Sequence, residues 1–260
     1  MLLAVDVGNT QTVVGLFERT ELQQHWRLAT LPERTADEHA LIFQGLLMQV
    51  GLSFDRNVTG VVISSVVPRV TEALRDMTER YFHFDPVVVG PGVRTGMPIV
   101  TDTPKQVGAD RIVNAIAAHA RHGGPCIVID FGTATTFDAV SAKGEYLGGA
   151  IAPGVQVSTN ALVSAGAQLY NIEFVEPRSV IGKTTVEAIQ SGVLYGFAGQ
   201  VDGIVDRMRL ELGANAPTVA TGGLAPVIMP LTKAIDHHEP WLTLEGLLLI
   251  YERNSRYENA

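Results

Sequence analysis

Two aspartates each follow a short apolar run and each begin a turn rich in glycine and small polar residues. The first turn is Asp6-Val7-Gly8-Asn9-Thr10, and the second is Asp130-Phe131-Gly132-Thr133-Ala134-Thr135-Thr136. Glycine allows close backbone approach to a ligand, and successive N–H groups and hydroxyls suit a phosphate cradle. Asp6 could hold Mg²⁺ directly or through water. Either turn alone could be an ordinary hairpin, but the two together favour a nucleotide held between two halves of the chain.

Two further segments carry candidate chemistry. Gly108-Ala109-Asp110-Arg111 enters a predicted helix, where a carboxylate stays ionised and could accept the proton of a substrate hydroxyl during phosphoryl transfer. Arg111 could bind a substrate carboxylate or phosphate, although a helix cap and a surface ion pair are the alternative interpretation. Thr221-Gly222-Gly223-Leu224 offers bare backbone on which a nucleoside could lie, but Gly-Gly is also common in loops.

The pattern of apolar strand, aspartate, glycine turn and second strand occurs once in each half. Asp6 and Asp130 are 130 − 6 = 124 residues apart, which indicates internal duplication. Helical patterns follow each set of strands, so the sequence predicts an α/β fold with mixed sheets. We expect two domains, 1–118 and 119–260. The predicted strands are Leu2–Val5, Thr12–Phe17, Gln23–Leu28, Val61–Ser65, Pro86–Val89, Cys126–Ile129, Thr135–Val140, Tyr146–Ile151 and Thr218–Ala220, and the longest predicted helix is Thr184–Leu212.

Composition excludes several classes of protein. The 260 residues are 46% hydrophobic and 18% charged, as in globular chains, and the net charge of −8 argues against nucleic acid or an anionic membrane as a partner. The single cysteine, Cys126, cannot form an intrachain disulfide and is predicted to be a core residue. We expect a soluble, cytoplasmic protein. The pair His237-His238 is predicted to be structural, and the sequence lacks the GxxxxGK[ST] and GxGxxG nucleotide-binding patterns.

The segments together resemble type III pantothenate kinases over essentially the whole chain. Besides the Asp6, Asp110 and Asp130 segments, the resemblance rests on Gly148-Gly149-Ala150-Ile151-Ala152-Pro153-Gly154 and on Gly182-Lys183-Thr184-Thr185-Val186-Glu187-Ala188-Ile189-Gln190-Ser191-Gly192. It implies the acetate and sugar kinase/Hsp70/actin fold, with two duplicated ribonuclease-H-like domains and a nucleotide cleft between them. It also implies ATP-dependent phosphorylation of pantothenate at its primary hydroxyl to 4′-phosphopantothenate, the first step of coenzyme A biosynthesis.

The resemblance also implies a role for particular residues. Asp110 would be the proton acceptor, and Asp130 would hold a monovalent cation, K⁺ or NH₄⁺. Thr185 would complete the substrate pocket from the neighbouring subunit of a homodimer. Pantothenate would contact Gly108, Ala109, Asp110, Arg111 and Thr185, and ATP with Mg²⁺ would contact Asp6, Val7, Gly8, Asn9, Thr10, Gln11, Thr12, Val13 and Thr133.

Thr101 is the one departure from the family pattern. Many relatives have a tyrosine there that contacts pantothenate, so this contact is expected to be lost or replaced. The alternatives to a pantothenate kinase are a kinase of the same fold for another small acceptor, and a non-catalytic transcription accessory factor. A chaperone-like ATPase of this fold would need a peptide-binding domain, for which the chain has no length left.

Overall fold

Two five-stranded mixed sheets, one in each of two units, organise the chain. The computed structural model describes residues 1–165, 172–213 and 215–258. The first unit contains residues 1–97, 103–117 and the segment that begins at Leu242, and the second contains 98–102 and 118–241. The predicted ranges 1–118 and 119–260 remain a prediction about domains; the two units differ from them chiefly in placing the last helix with the first half of the chain.

The first unit combines five strands with helices from both ends of the chain. Its strands are β1 (Leu2–Val7), β2 (Gln11–Glu18), β3 (Glu21–Ala29), β4 (Gly60–Ser65) and β5 (Val87–Val88). Its helices are α1 (Ala36–Gln49), α2 (Phe54–Asn57), α3 (Pro68–Phe82), the first part of α4 (Ala109–His122), and α8 (Leu242–Glu258), with a 3₁₀ turn at Pro104–Gln106.

The second unit repeats the same plan. Its strands are β6 (Cys126–Phe131), β7 (Ala134–Val140), β8 (Tyr146–Pro153), β9 (Thr218–Thr221) and β10 (His237–His238). Its helices are α5 (Val155–Ala165), α6 (Thr185–Leu212) and α7 (Ala225–Ile228), followed by a 3₁₀ turn at Met229–Leu231. The nine strands and the long helix predicted from the sequence are confirmed, while α2, α5 and β10 were not predicted.

The strand order confirms the internal duplication. The sheets run β3-β2-β1-β4-β5 and β8-β7-β6-β9-β10. In the first, β1 is antiparallel to β2 and parallel to β4; in the second, β6 is antiparallel to β7 and parallel to β9. Each central strand therefore lies between one antiparallel and one parallel neighbour and has its aspartate as the next-to-last residue, and the predicted α/β fold with mixed sheets is confirmed.

The core of the first unit lies on the face of the sheet opposite Asp6. Side chains alternate along a strand, so Leu3, Val5 and Val7 pack into the cluster that α1 and α3 cover. Asp6 then points to the other face, where α8 packs. Helix α8 also meets α4 closely, since a Cβ at Gly246 would lie 2.2 Å from the Val113 carbonyl oxygen.

The core of the second unit follows the same alternation. Ile127, Ile129, Phe131 and Phe137 pack with α6 and α7. Thr135, which is fully buried, shares the face of Phe137 because it lies two residues away on β7. The opposite face of this sheet therefore carries the intervening polar residues, which are Asp130, Thr136 and Asp138.

One buried group makes the first unit sensitive to acid. His39 on α1 is 3% exposed and makes an edge contact with Phe43, and neither ring nitrogen has a hydrogen-bond partner among the described residues. Burial, assisted by nearby Arg34, lowers its pKa from 6.5 to about 4. The unfolded chain then takes up the proton at a higher pH than the folded protein. Stability is therefore complete above about pH 6.5 and is lost as the pH falls towards about 4.

We predict that His39→Leu removes most of this acid sensitivity. The wild-type contribution has an upper bound of about 3 kcal/mol, at about 1.4 kcal/mol per pKa unit. Urea unfolding midpoints measured from pH 7 to pH 4.5 should fall less steeply for the variant than for the wild type. Parallel slopes in the two proteins would contradict the assignment to His39.

Candidate active site

The turn after Asp6 is a closed hairpin, and Thr30, the residue after β3, stabilises it with a side-chain hydrogen bond. The Gly8 N–H donates to the Gln11 carbonyl at 3.0 Å, and the Thr30 hydroxyl donates to the Gly8 carbonyl at 2.8 Å. Thr12 is buried, with its hydroxyl 2.9 Å from that of Thr30. The sequence did not identify Thr30, because its bond to Gly8 joins residues 22 positions apart.

The exposure of the predicted ATP-binding residues is uneven. Asn9, Thr10 and Gln11 are exposed at the tip of the hairpin, and Asp6, Gly8 and Val13 are half-buried. Val7 and Thr12 are buried, so their side chains serve the fold. What this turn can offer to a phosphate is therefore its backbone N–H groups and the polar side chains of residues 9–11.

Asp110 stands in the first turn of α4 and caps that helix with one of its oxygens. Oδ1 accepts the Arg111 N–H at 2.9 Å, and a Cβ at Gly108 would lie 2.5 Å from the same oxygen. The helix-cap interpretation is thus correct for Oδ1, while Oδ2 is the oxygen on which a substrate proton could be placed. The four residues from Gly108 to Arg111 are all half-buried.

Asp6 and Asp110 belong to the same unit and to the same side of its sheet. Helix α8 covers the face that carries Asp6, since a Cβ at Gly15, on that face of β2, would lie 2.7 Å from a Leu244 methyl. Helix α4 in turn packs on α8 at Gly246. The Asp6 turn and the segment that carries Asp110 are therefore held by one set of packed elements.

Asp130, the next-to-last residue of β6, lies against a glycine backbone. Its register partners are Thr136 on β7 and Thr221 on β9. Gly222 has a φ of +91°, and a Cβ there would lie 2.5 Å from Asp130 Oδ1 and 2.6 Å from the Phe131 nitrogen. Only glycine fits this position, so the predicted Thr221–Leu224 turn lies directly against the Asp130 carboxylate.

The surroundings of Asp130 fit a cation that prefers oxygen ligands. A half-buried carboxylate, two neighbouring threonines and a backbone cradle that a Cβ would fill all meet at this point. Hard cations bind carboxylate, hydroxyl and carbonyl oxygens. Among the residues that the structure describes, by contrast, no group of three or more His, Cys, Asp or Glu side chains is arranged to hold a metal ion.

Thr133 and Thr185 lie on exposed segments of the second unit. The Thr133 carbonyl accepts the Gly154 N–H at 3.1 Å, which fastens the β6–β7 turn to the start of α5. Thr185 is the first residue of α6, whose N-cap is Thr184: the Thr184 hydroxyl accepts the Glu187 N–H at 3.2 Å. The side chain of Thr185 is exposed.

Four other residues that the sequence analysis named, Thr101, Cys126, His237 and His238, also lie in the second unit. Thr101 lies beside β8, and its buried hydroxyl has no hydrogen-bond partner among the described residues. His237 and His238 form β10, and the His237 ring stacks on His122 at 4.3 Å. Cys126 is fully buried, and burial raises its pKa to about 12, so the prediction of a core residue is confirmed. Within the described ranges, no helix has the length and apolar character needed to cross a membrane.

Comparison with solved structures identifies the fold. A Campylobacter jejuni protein assigned to the Baf family of transcriptional activators matches with a TM-score of 0.59 at 18% identity, covering 98% of this chain and 99% of that one. Component A of (R)-2-hydroxyglutaryl-CoA dehydratase from Acidaminococcus fermentans matches with a TM-score of 0.58 at 14% identity, covering 98% of each chain. The ROK hexokinase of Thermus thermophilus matches with a TM-score of 0.54 at 12% identity, covering 97% of this chain and 99% of that one. These likenesses concern the fold alone, and that fold is the acetate and sugar kinase/Hsp70/actin fold with its two duplicated units.

Sequence comparison then defines the family. The family model for type III pantothenate kinase matches residues 2–207. The type III pantothenate kinase of Streptomyces griseus subsp. griseus is 57% identical to this chain, and the alignment covers 98% of both proteins. The type III pantothenate kinase of Moorella thermoacetica is 53% identical, and the alignment covers 98% of this chain and 100% of the relative. The chain belongs to the type III pantothenate kinase family.

Proposed function

We propose that this protein transfers the γ-phosphoryl group of ATP to the primary hydroxyl of pantothenate, giving 4′-phosphopantothenate, the first step of coenzyme A biosynthesis. The observation that carries the proposal is the identity of 53–57% to type III pantothenate kinases along 98% of the chain. Asp6, Asp110 and Asp130 are all present. The relatives give no support to a transcription accessory factor. We also place the enzyme in the cytoplasm, consistent with its single, buried cysteine.

The turn 6–13 and Thr133 are proposed to hold the phosphates of ATP. The exposed tip at Asn9, Thr10 and Gln11 would donate hydrogen bonds to the phosphate oxygens, with its backbone fixed by Thr30. Asp6 would orient Mg²⁺, directly or through a water molecule. Bound with ATP, Mg²⁺ supplies positive charge that offsets the charge on the β- and γ-phosphates.

The segment 108–111 is proposed to bind pantothenate and to remove its hydroxyl proton. Asp110 Oδ2 would accept the proton while Oδ1 stays bonded to the Arg111 N–H, which keeps the carboxylate in one orientation. Arg111 could bind the substrate carboxylate. Positioning of this kind provides most of the catalysis in phosphoryl transfer.

We predict that Asp110→Asn lowers kcat by about 10²- to 10⁴-fold, the usual contribution of a general base. The amide oxygen can still accept the Arg111 N–H, so the fold and ATP binding should be retained. Pantothenate-dependent ADP release and nucleotide affinity would both be measured. Asp76→Asn, an exposed change on α3, is the matched control and should behave as wild type. Near-full turnover by Asp110→Asn at saturating substrate would exclude Asp110 as the base.

Asp130 is proposed to bind a monovalent cation, K⁺ or NH₄⁺. The neighbouring threonines support this, because they place oxygen atoms beside the carboxylate. Gly222 supports it as well, because the absence of a Cβ leaves space next to Asp130 Oδ1. When bound, such a cation would supply positive charge close to the transferred group. Asp130 itself would hold the cation in place and take no proton.

A homodimer is proposed, with Thr185 contributing to the substrate pocket of the partner. Its support is an apolar surface around the start of α6, formed by Val175, Val180, Ile181 and Val186, which are 52–80% exposed. The segment that carries the first three runs along α6, because Ser191 Oγ donates to the Val180 carbonyl at 2.7 Å. Clustered exposed apolar side chains of this kind are typical of protein interfaces.

We predict that Ile181→Asp weakens the dimer and raises the KM for pantothenate, while the KM for ATP changes little. A charge placed in an apolar interface is costly to desolvate. Leu210→Asp is the matched control, since Leu210 is also exposed but lies 24 residues beyond Val186 on α6, about 36 Å along the helix. Sedimentation and kinetics would be measured together; a dimeric Ile181→Asp with an unchanged KM for pantothenate would contradict the proposed interface.

A further inference from the structure

A fully buried carboxylate stands next to the proposed cation site and takes no part in the functions described above. Asp138 on β7 is 0% exposed, as is Tyr146 on β8. The Tyr146 hydroxyl donates to Asp138 Oδ1 at 2.6 Å, and the Thr136 hydroxyl donates to Oδ2 at 3.3 Å. Both oxygens of this carboxylate therefore accept a hydroxyl proton.

Thr136 connects this buried group to Asp130. The two residues are directly paired in the antiparallel β6–β7 ladder, so their side chains lie on the same face of the sheet. Directly opposed residues have Cβ atoms about 4.5–5.5 Å apart. Asp138 is two residues from Thr136 along β7 and thus also lies on this face.

The direction of the Thr136 proton follows from the chemistry of its partner. An ionised carboxylate only accepts hydrogen bonds, while a hydroxyl has one proton and two lone pairs. When Thr136 gives its proton to Asp138, it has none left for Asp130 and keeps its lone pairs as acceptors. The Asp130 carboxylate and the Thr136 oxygen are then two acceptors on paired residues of one face of the sheet, an arrangement that favours a bound cation.

The position of Asp138 is itself firmly determined. Tyr146 is fixed in turn by backbone bonds, since its N–H donates to the Pro98 carbonyl and its carbonyl accepts the Val100 N–H, both at 2.8 Å. Burial of a carboxylate is costly, and apolar residues of similar volume often replace buried charged groups without loss of stability. A role in the proposed cation site therefore explains the presence of the Asp138 carboxylate better than a contribution to the stability of the fold does.

We infer that Thr136 is a second oxygen ligand of the monovalent cation and that Asp138 is the positioning residue that orients its hydroxyl. This rests on the proposed cation site at Asp130. It goes further, because it assigns a hydroxyl ligand and the hydrogen-bond acceptor that keeps the lone pairs of that ligand available. Ligand-orienting partners of this kind typically change metal affinity by about 10- to 100-fold when they are lost.

The test measures cation binding without turnover. The unfolding temperature of the full-length protein is recorded against K⁺, at ionic strength held constant with choline, in the presence of Mg²⁺ and a non-hydrolysable ATP analogue. A ligand that binds the folded state raises this temperature with its concentration. Thr136→Val should increase the half-saturating K⁺ concentration about 10-fold or more, whereas Thr136→Ser, which keeps the hydroxyl, should stay within about threefold of wild type.

Two further variants separate the site from the fold. Asp138→Asn should raise the half-saturating K⁺ concentration although Thr136 is intact, because an amide can donate to the hydroxyl and reverse its orientation. Thr135→Val is the matched control. Its hydroxyl faces the core and has no hydrogen-bond partner among the described residues, so its removal should leave the K⁺ response unchanged.

The outcomes distinguish this inference from the proposed function. A Thr136→Val protein that is less stable at every K⁺ concentration, but has the wild-type half-saturation, would overturn the inference and leave the Asp130 site standing. A wild-type protein without any K⁺ response would overturn both the cation site and the inference. Neither result would bear on pantothenate-dependent ADP release, which tests the proposed function separately.

Discussion

Strand pairing at the two aspartates determines where the core and the candidate site residues lie in each unit. In each unit the central strand has an aspartate as its next-to-last residue and lies between an antiparallel and a parallel neighbour, so the same backbone frame occurs twice. The frame directs Leu3, Val5 and Val7 in the first unit, and Ile127, Ile129 and Phe131 in the second, to the face opposite the aspartate.

The two copies of the frame have acquired different surroundings. Beside Asp6, the partners in register are Val13 and Ser64, and the turn is held by Thr30. Beside Asp130, both partners are threonines, and the Gly222 backbone lies against the carboxylate. The first environment suits a nucleotide turn with exposed donors. The second is richer in oxygen atoms and suits a cation.

Most of the fold could be predicted because its elements have strong local patterns. Short apolar runs that end in Asp and Gly predicted the strands, and spaced apolar residues predicted the long helices. Helix α5 was missed because it follows Pro153-Gly154 closely and includes Ser158 and Thr159, which are typical of turns. The place of α8 depends on contacts such as Gly246 with Val113, between residues distant in sequence.

The candidate site was predictable in its residues but not in its detailed bonding. Asp110 was named as a base or a cap, and the structure shows that one oxygen does cap the helix. The proximity of Gly222 to Asp130 and the bond from Thr136 to Asp138 arise from strand pairing, which no local pattern encodes.

Analysis of the reaction products identifies the acceptor of the phosphoryl group. Purified protein would be incubated with Mg²⁺, ATP, K⁺ and pantothenate, and the products identified by mass spectrometry and ³¹P NMR. We expect ADP and 4′-phosphopantothenate in equal amounts, with the phosphate on the primary hydroxyl. ADP formed at the same rate without pantothenate, or pantothenate recovered unchanged, would contradict it.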